Sequence, residues 1–261
     1  MARLRPVAFE DRLTLVEHLD ELRTRIVIAA AAFVVAFGLC LWQNDLLLEF
    51  AAEPLPERWR DDLTTFGVTE PFMTTLTVAA YGAFVISLPV ILYQLYAFAL
   101  PALTPRERGV ARPLLVLIPL LFVSGVVFGY LIVMPAAVKF LLNFNEDQFN
   151  VLLRARDYFS FFALSLVAIG VLFQIPIVIL ALTRLGIITP EQLAANRRYA
   201  ILVIAVLAML GPGGDPVTML ILMVPLILLF EGSLVLARAF GRPSWTGEDA
   251  PPGEPTPERP G

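Results

Sequence analysis

Few side chains in this 261-residue chain are suited to covalent chemistry. It has one cysteine, Cys40, and one histidine, His18. A single cysteine excludes an internal disulfide and any Cys-rich metal site. A single histidine excludes a multi-histidine metal centre. The patterns HExxH and GxSxG are both missing from the sequence. Catalysis is therefore not the expected activity, and neither a metal nor another cofactor is expected.

The polar residues that stand out are suited to binding instead. Residues 9–25 read FEDRLTLVEHLDELRTR, with Leu15, Leu19 and Leu22 at i, i+4, i+7. That spacing predicts an amphipathic helix with Glu17, Asp20 and Glu21 on its polar side, lying in the membrane interface. Glu21 has two readings. It is a routine i, i+4 partner of Arg25, worth a few tenths of a kcal/mol (~0.3), or it is part of a binding site. Glu107 lies between Arg106 and Arg108. It is either solvated or an acceptor of bidentate hydrogen bonds from a guanidinium. Both acids on one face would suit a ligand with two adjacent arginines.

Three further polar groups lie in or beside apolar stretches. Glu231, in Leu229-Phe-Glu-Gly-Ser, is protonated, faces a polar interior or lies near the cytoplasmic end, and Arg238 seven residues on favours the last. Gln174, in Leu172-Phe-Gln-Ile-Pro176, makes an interhelical hydrogen bond or lines a polar groove. Asp215 sits at a turn, Gly211-Pro-Gly-Gly-Asp-Pro216, and is expected to face solvent or cap the next helix. The stretch Pro212-Gly-Gly-Asp215 comes near the GxGD of intramembrane aspartyl proteases. A proline replaces the first glycine, and no second aspartate lies in another apolar stretch.

The elements that must carry these residues follow from composition. Apolar residues make up 58% of the chain and charged residues 16%. Soluble domains are roughly half apolar and about a quarter charged. A net charge of −4 does not suggest a nucleic-acid binder. Long charge-free runs occupy 26–42, 71–105, 113–138, 158–183, 199–214 and 216–230. A helix of about 20 apolar residues crosses the hydrocarbon core, and backbone in lipid must be helical to satisfy its own hydrogen bonds. These runs predict six transmembrane helices, at about 24–43, 72–99, 113–139, 157–183, 198–212 and 216–238. The fold class is thus an all-α integral membrane protein.

Six spans place both termini on one side. The segments 1–25, 100–112, 184–198 and 238–261 hold 14 of the 19 basic residues. By the positive-inside rule these segments and both termini are cytoplasmic. Residues 44–71, with seven acids and two arginines, form an external loop. No cleavable signal peptide is evident. Residues 241–261 are rich in proline and glycine and are expected to be a disordered tail. The last two charge-free runs are short, so the fifth and sixth helices are expected to be a short hairpin that thins the bilayer or recruits partners. Pro89, Pro119, Pro135, Pro176 and Pro225 fall inside spans. Each removes a helix hydrogen bond and favours a kink, which suits a concave face.

Several stretches, in order, resemble one family. Glu17-His-Leu-Asp-Glu-Leu-Arg-Thr-Arg25 resembles the N-terminal signature of TatC, the large membrane subunit of the twin-arginine protein translocase. Ser87-Leu-Pro-Val-Ile-Leu-Tyr-Gln-Leu-Tyr-Ala-Phe98, continuing into Ala99-Leu-Pro-Ala-Leu-Thr-Pro-Arg-Glu-Arg108, is similar to the family's most specific block. Phe128-Gly-Tyr-Leu-Ile-Val-Met-Pro135, Gly186-Ile-Ile-Thr-Pro-Glu191 and Arg197-Arg-Tyr199 follow in family order. The resemblance covers about residues 10–240 and implies a glove-like six-helix bundle with a concave face. It implies signal-peptide binding at Glu21, Glu107, Arg23 and Phe98, a groove lined by Gln174, and partner-subunit contacts at Met209, Asp215 and Glu231. Pro54 matches the external-loop proline. The implied partners are the single-span subunits TatA and TatB, twin-arginine signal peptides, further copies of the chain in a receptor complex, and the bilayer. Transport of folded proteins would draw on the proton-motive force across the cell membrane. Two positions depart from the family pattern: Gln174 stands where many members carry glutamate, and Pro212-Gly-Gly-Asp215 replaces a common Thr-Pro-Pro-Asp.

Two other classes of function stay open on the residues alone. A proton-coupled small-solute transporter would need paired ionisable groups near the membrane midplane. The spans offer only Glu231 and neutral Gln174, without an internal repeat. A passive assembly scaffold would lose complex formation on truncation of the 198–238 hairpin, with peptide binding unaffected.

Overall fold

The computed structural model describes residues 15–60, 62–99, 105–144, 148, 151–184, 187–211 and 214–240. The expected tail at 241–261 and the first 14 residues of the amphipathic segment lie outside them. The regular secondary structure of the described residues is all helical, apart from an isolated parallel bridge between Thr64 and Arg154.

Helix α1 (Leu15–Trp42) is 28 residues long. At about 1.5 Å per residue it covers roughly 42 Å, more than the hydrocarbon thickness. The segment carrying Glu21 is therefore not a separate helix but the first turns of α1. Two short helices follow at the far end, α2 (Asn44–Ala52) and α3 (Glu57–Arg60). Helix α4 (Glu70–Ala99) returns as one 30-residue rod with Pro89 inside it.

The third and fourth spans are interrupted where proline falls. Helix α5 (Pro105–Phe128) passes through a π turn at Gly129–Val133 into α6 (Met134–Asn143). Pro135 lacks an N–H, and its ring would meet the carbonyl of residue 131 in a regular ladder. The wider turn takes up that conflict, with Met134 N–H donating to Gly129 O. Helices α7 (Ala155–Leu172) and α8 (Ile175–Arg184) are separated at Phe173–Gln174, just before Pro176.

Helix α9 (Pro190–Ala195) opens with a capping box. Thr189 Oγ1 accepts from Gln192 N–H at 3.1 Å, and Gln192 Oε1 accepts from Thr189 N–H at 3.1 Å. Helix α10 (Arg197–Met209) has only 13 residues, about 20 Å of rise. Helix α11 (Pro216–Phe240) has 25. The sixth helix is thus longer than its charge-free run suggested, because it continues unbroken through Glu231. Only the fifth is short. Among the described residues, five helical stretches are long and apolar enough to cross a membrane: Leu19–Trp42, Glu70–Phe98, Val116–Asn143, Ala155–Thr183 and Pro216–Arg238.

Packing relies on small residues, as it must where lipid offers no hydrophobic drive between helices. Ala36, Cys40, Ala79 and Ala83 form the buried α1–α4 seam. Between α5 and α7, a Cβ on Gly125 would lie 2.7 Å from Phe173 Cγ and 3.1 Å from Gly170 Cα. A Cβ on Gly170 would lie 2.9 Å from Phe122 Cδ2, and Phe122 is almost wholly buried. Neither position has room for a larger side chain at this approach of the two helices.

Candidate functional site

The chain ends its spans in two unlike caps. One cap is built from α2, α3 and the segments before α4 and α7. Thr64 N–H donates to Leu153 O at 3.0 Å, and Ala155 N–H donates to Thr64 O at 2.9 Å. Arg154 grips Glu70 with Nε–Oε1 at 2.6 Å and Nη2–Oε2 at 3.1 Å. Phe66 N–H donates to the same carboxylate at 2.9 Å. The Glu70 bond also raises the Arg154 guanidinium above its ordinary pKa. Tyr158 Oη donates to Ala51 O at 2.7 Å, fastening α7 to the end of α2. Arg60 Nε donates to Leu55 O at 2.9 Å. These contacts hold the seven-acid loop in a defined shape, which the sequence did not reveal.

The opposite end carries the arginines and the expected binding residues. Glu21 is half-buried on α1, and its Oε1 accepts from Arg25 Nε at 3.1 Å. Arg25 Nη1 reaches α4 and donates to Gln94 Oε1 at 3.1 Å. The i, i+4 pair expected from sequence is therefore present, and Gln94 makes it a brace between helices. Gln94 was overlooked; its signal was an amide within a long charge-free run. Arg23 is exposed on the next face of α1. Phe98 is half-buried in the last turn of α4. Glu107 lies in the first turn of α5, but its side chain is outside the described residues.

Gln174 is buried at the α7–α8 break, and its Nε2 donates to Ile118 O of α5 at 3.2 Å. The interhelical bond, one of the two readings from sequence, is what this geometry contains. A recess of about 510 Å³ opens between α1, α4 and α7, lined by Phe33, Leu76, Thr77, Tyr81, Phe84 and Val167 among others. A smaller one of about 160 Å³ lies between α2, α4, α5 and α7 and shares Tyr81. Both are strongly apolar, and Gln174 is not among their lining residues.

Asp215 is buried rather than solvent-facing and caps α11. Its Oδ1 accepts from Thr218 N–H at 2.8 Å, and its Oδ2 from Thr218 Oγ1 at 2.5 Å. Glu231 is half-buried and pairs with Arg197 Nη2 at 3.1 Å, joining the body of α11 to the start of α10. It lies nine residues before the end of α11 rather than in its last turn. Met209 is exposed on the last turn of α10, on a face shared with Leu202 and Val206. Among the described residues no group of three or more His, Cys, Asp and Glu side chains could hold a metal ion.

An all-helical chain with several membrane-length apolar helices, kinked spans and a recess lined by apolar side chains defines a multi-pass integral membrane protein. Comparison with known proteins narrows this. The family model described as TatC: Sec-independent protein translocase protein matches residues 17–225. The Sec-independent protein translocase protein TatC of Carboxydothermus hydrogenoformans is 35% identical over 241 residues, 92% of this chain and 99% of that one. The protein of that name from Aquifex aeolicus is 37% identical over 230 residues, 87% of this chain and 95% of that one. A crystal structure titled as the twin-arginine translocase receptor TatC superposes with a TM-score of 0.70 at 37% identity, covering 85% of this chain and 99% of that one. The chain belongs to the TatC family.

Proposed function

We propose that this chain is the receptor and core subunit of a twin-arginine translocase. It sits in the cell's inner membrane with both termini cytoplasmic, and it has no catalytic role. The observation that carries the reading is the placement of Glu21. Its carboxylate is held by Arg25 and, through it, by Gln94 on the same α4 that carries Phe98 in its last turn and leads to Glu107. The net positive arginine-rich end supports a cytoplasmic assignment by the positive-inside rule.

In this reading the two guanidiniums of a signal peptide dock on Glu21 and Glu107. Arg23 and Phe98 border that site. Charge-assisted hydrogen bonds are worth about 1.5–3 kcal/mol each. The planar fork of arginine fits a carboxylate where the lysine ammonium does not. The apolar segment of the peptide then enters the apolar recess beside Phe33 and Tyr81. Gln174 serves the concave face by holding the kinked fourth span against α5. Met209 and the exposed face of α10 take a single-span partner of the TatA or TatB type, with Asp215 and Glu231 fixing the α10–α11 hairpin from either end. Further copies of the chain join the receptor complex, and the proton-motive force drives passage of folded cargo.

The test is the affinity of the purified chain in nanodiscs for a twin-arginine signal peptide and its twin-lysine counterpart. Glu21→Ala and Glu107→Ala should each weaken the arginine peptide by about 10- to 100-fold. Equal binding of both peptides, unchanged in the variants, would sink the reading. Solute flux through vesicles holding this chain alone would favour a transporter instead.

A further inference from the structure

We propose that Lys139, Asn143, Phe140 and Phe144 form a binding site for the headgroup of an anionic phospholipid at the acidic end of the bundle. With Ala136 they line an open recess of about 500 Å³ on α6. The recess is separate from the apolar recesses beside α4.

The chemistry of the lining selects the ligand. Lys139 is the only lysine among 19 basic residues. It is exposed and has no hydrogen-bond or ion-pair partner among the described residues. It lies one turn inside the end of the apolar stretch Val116–Asn143. A lysine at that depth extends its stem along the apolar surface and places its ammonium at headgroup level. Asn143 Oδ1 accepts from Arg58 Nη2 at 2.9 Å. The amide NH2 of Asn143 retains two donors for an anionic group. The same bond brings the positive charge of Arg58 to the rim, where its guanidinium lies 5.6 Å from the centroid of the Trp59 ring. Beneath these groups Phe140 and Phe144 pack at 5.6 Å between centroids.

A small soluble anion would leave the phenyl rings unused, and an apolar ligand would leave Lys139 unused. A phospholipid uses both: its phosphate and anionic headgroup meet Lys139 and the Asn143 amide, while its glycerol and upper acyl carbons lie on the rings. A surface lysine attracts anionic lipid by an amount that converts to about a fivefold change in affinity.

The test is native mass spectrometry of the full chain in detergent, titrated with dioleoyl phosphatidylglycerol and with dioleoyl phosphatidylcholine. The chain should prefer phosphatidylglycerol. Lys139→Gln should weaken that lipid about fivefold and leave phosphatidylcholine unchanged. Lys139→Arg, equally tolerable at an exposed position, should keep the preference. Phe140→Ser should weaken both lipids. The proposal fails if the chain shows no preference, if Lys139→Gln binds like the parent, or if Lys139→Arg is as weak as Lys139→Gln. It also fails if inorganic phosphate displaces the lipid, since the site would then be one for a free anion.

Discussion

Replacing Tyr158 by phenylalanine should destabilise the protein far more than the same change at Tyr130. Both hydroxyls donate to carbonyls of α2. Tyr158 Oη meets Ala51 O at 2.7 Å, and the Tyr158 side chain is almost wholly buried. Tyr130 Oη meets Phe50 O at 3.2 Å in an exposed position. The rings keep their neighbours in either variant: Tyr130 stacks on Phe50 at 4.2 Å, and Tyr158 packs against Phe159 at 5.4 Å. Only the hydrogen bond is removed. At position 158 the Ala51 carbonyl, near the end of a helix and away from water, loses its hydroxyl partner. Such a group costs about 1–3 kcal/mol. For a chain of this size that corresponds to a fall in melting temperature of roughly 2–4 °C per kcal/mol, or about 4–8 °C for a cost of about 2 kcal/mol. At position 130 water replaces the hydroxyl, and the shift should be under about 2 °C. The assay is thermal unfolding in detergent, followed by tryptophan fluorescence and by loss of monodisperse protein. A Tyr158→Phe variant that melts with the parent, or a Tyr130→Phe variant that falls further, would refute the assignment of the cap at α2 and α3 as a hydrogen-bonded clamp.

Gly170→Val should lower the melting temperature through overpacking worth about 1–3 kcal/mol, and Phe122→Ala should relieve part of that loss in a double-mutant cycle. Arg197→Ala should shift stability by less than about 1 kcal/mol, because the Glu231 pair is half-exposed and solvent-screened. By contrast, Glu70→Ala should open the acidic cap to limited proteolysis near residue 64, since that buried carboxylate holds both Arg154 and the Phe66 amide. Gln174→Leu should cost about 0.6 kcal/mol, the average for a hydrogen bond between membrane helices. Melting curves in detergent check the first, second and fourth of these.

The sequence by itself determined the class of fold. Lipid demands helices with internally satisfied backbone, so charge-free runs translate directly into spans; proline interrupts them at two of five positions, while Pro89, Pro119 and Pro225 lie inside unbroken helices. Pro135 and Pro176 do sit at the π turn and at the α7–α8 break. The order of motifs determined the family, and the i, i+4 spacing of Glu21 and Arg25 determined their pair. Tertiary structure alone decided what lies across from each polar group. Gln94, 69 positions from Arg25, joins its brace, and Glu70 meets Arg154 across 84 positions. No local periodicity encodes such separations, because they follow from how whole helices align. The same holds for Asp215, Gln174 and Glu231: sequence left each with more than one reading, and burial, a partner helix and Arg197 respectively show what each meets. The charge-free run 216–230 understated α11, whereas the predicted span 216–238 nearly matched it, and the reason is related. A charge ends a hydrophobic run but not a helix, since a paired carboxylate interrupts no backbone hydrogen bond.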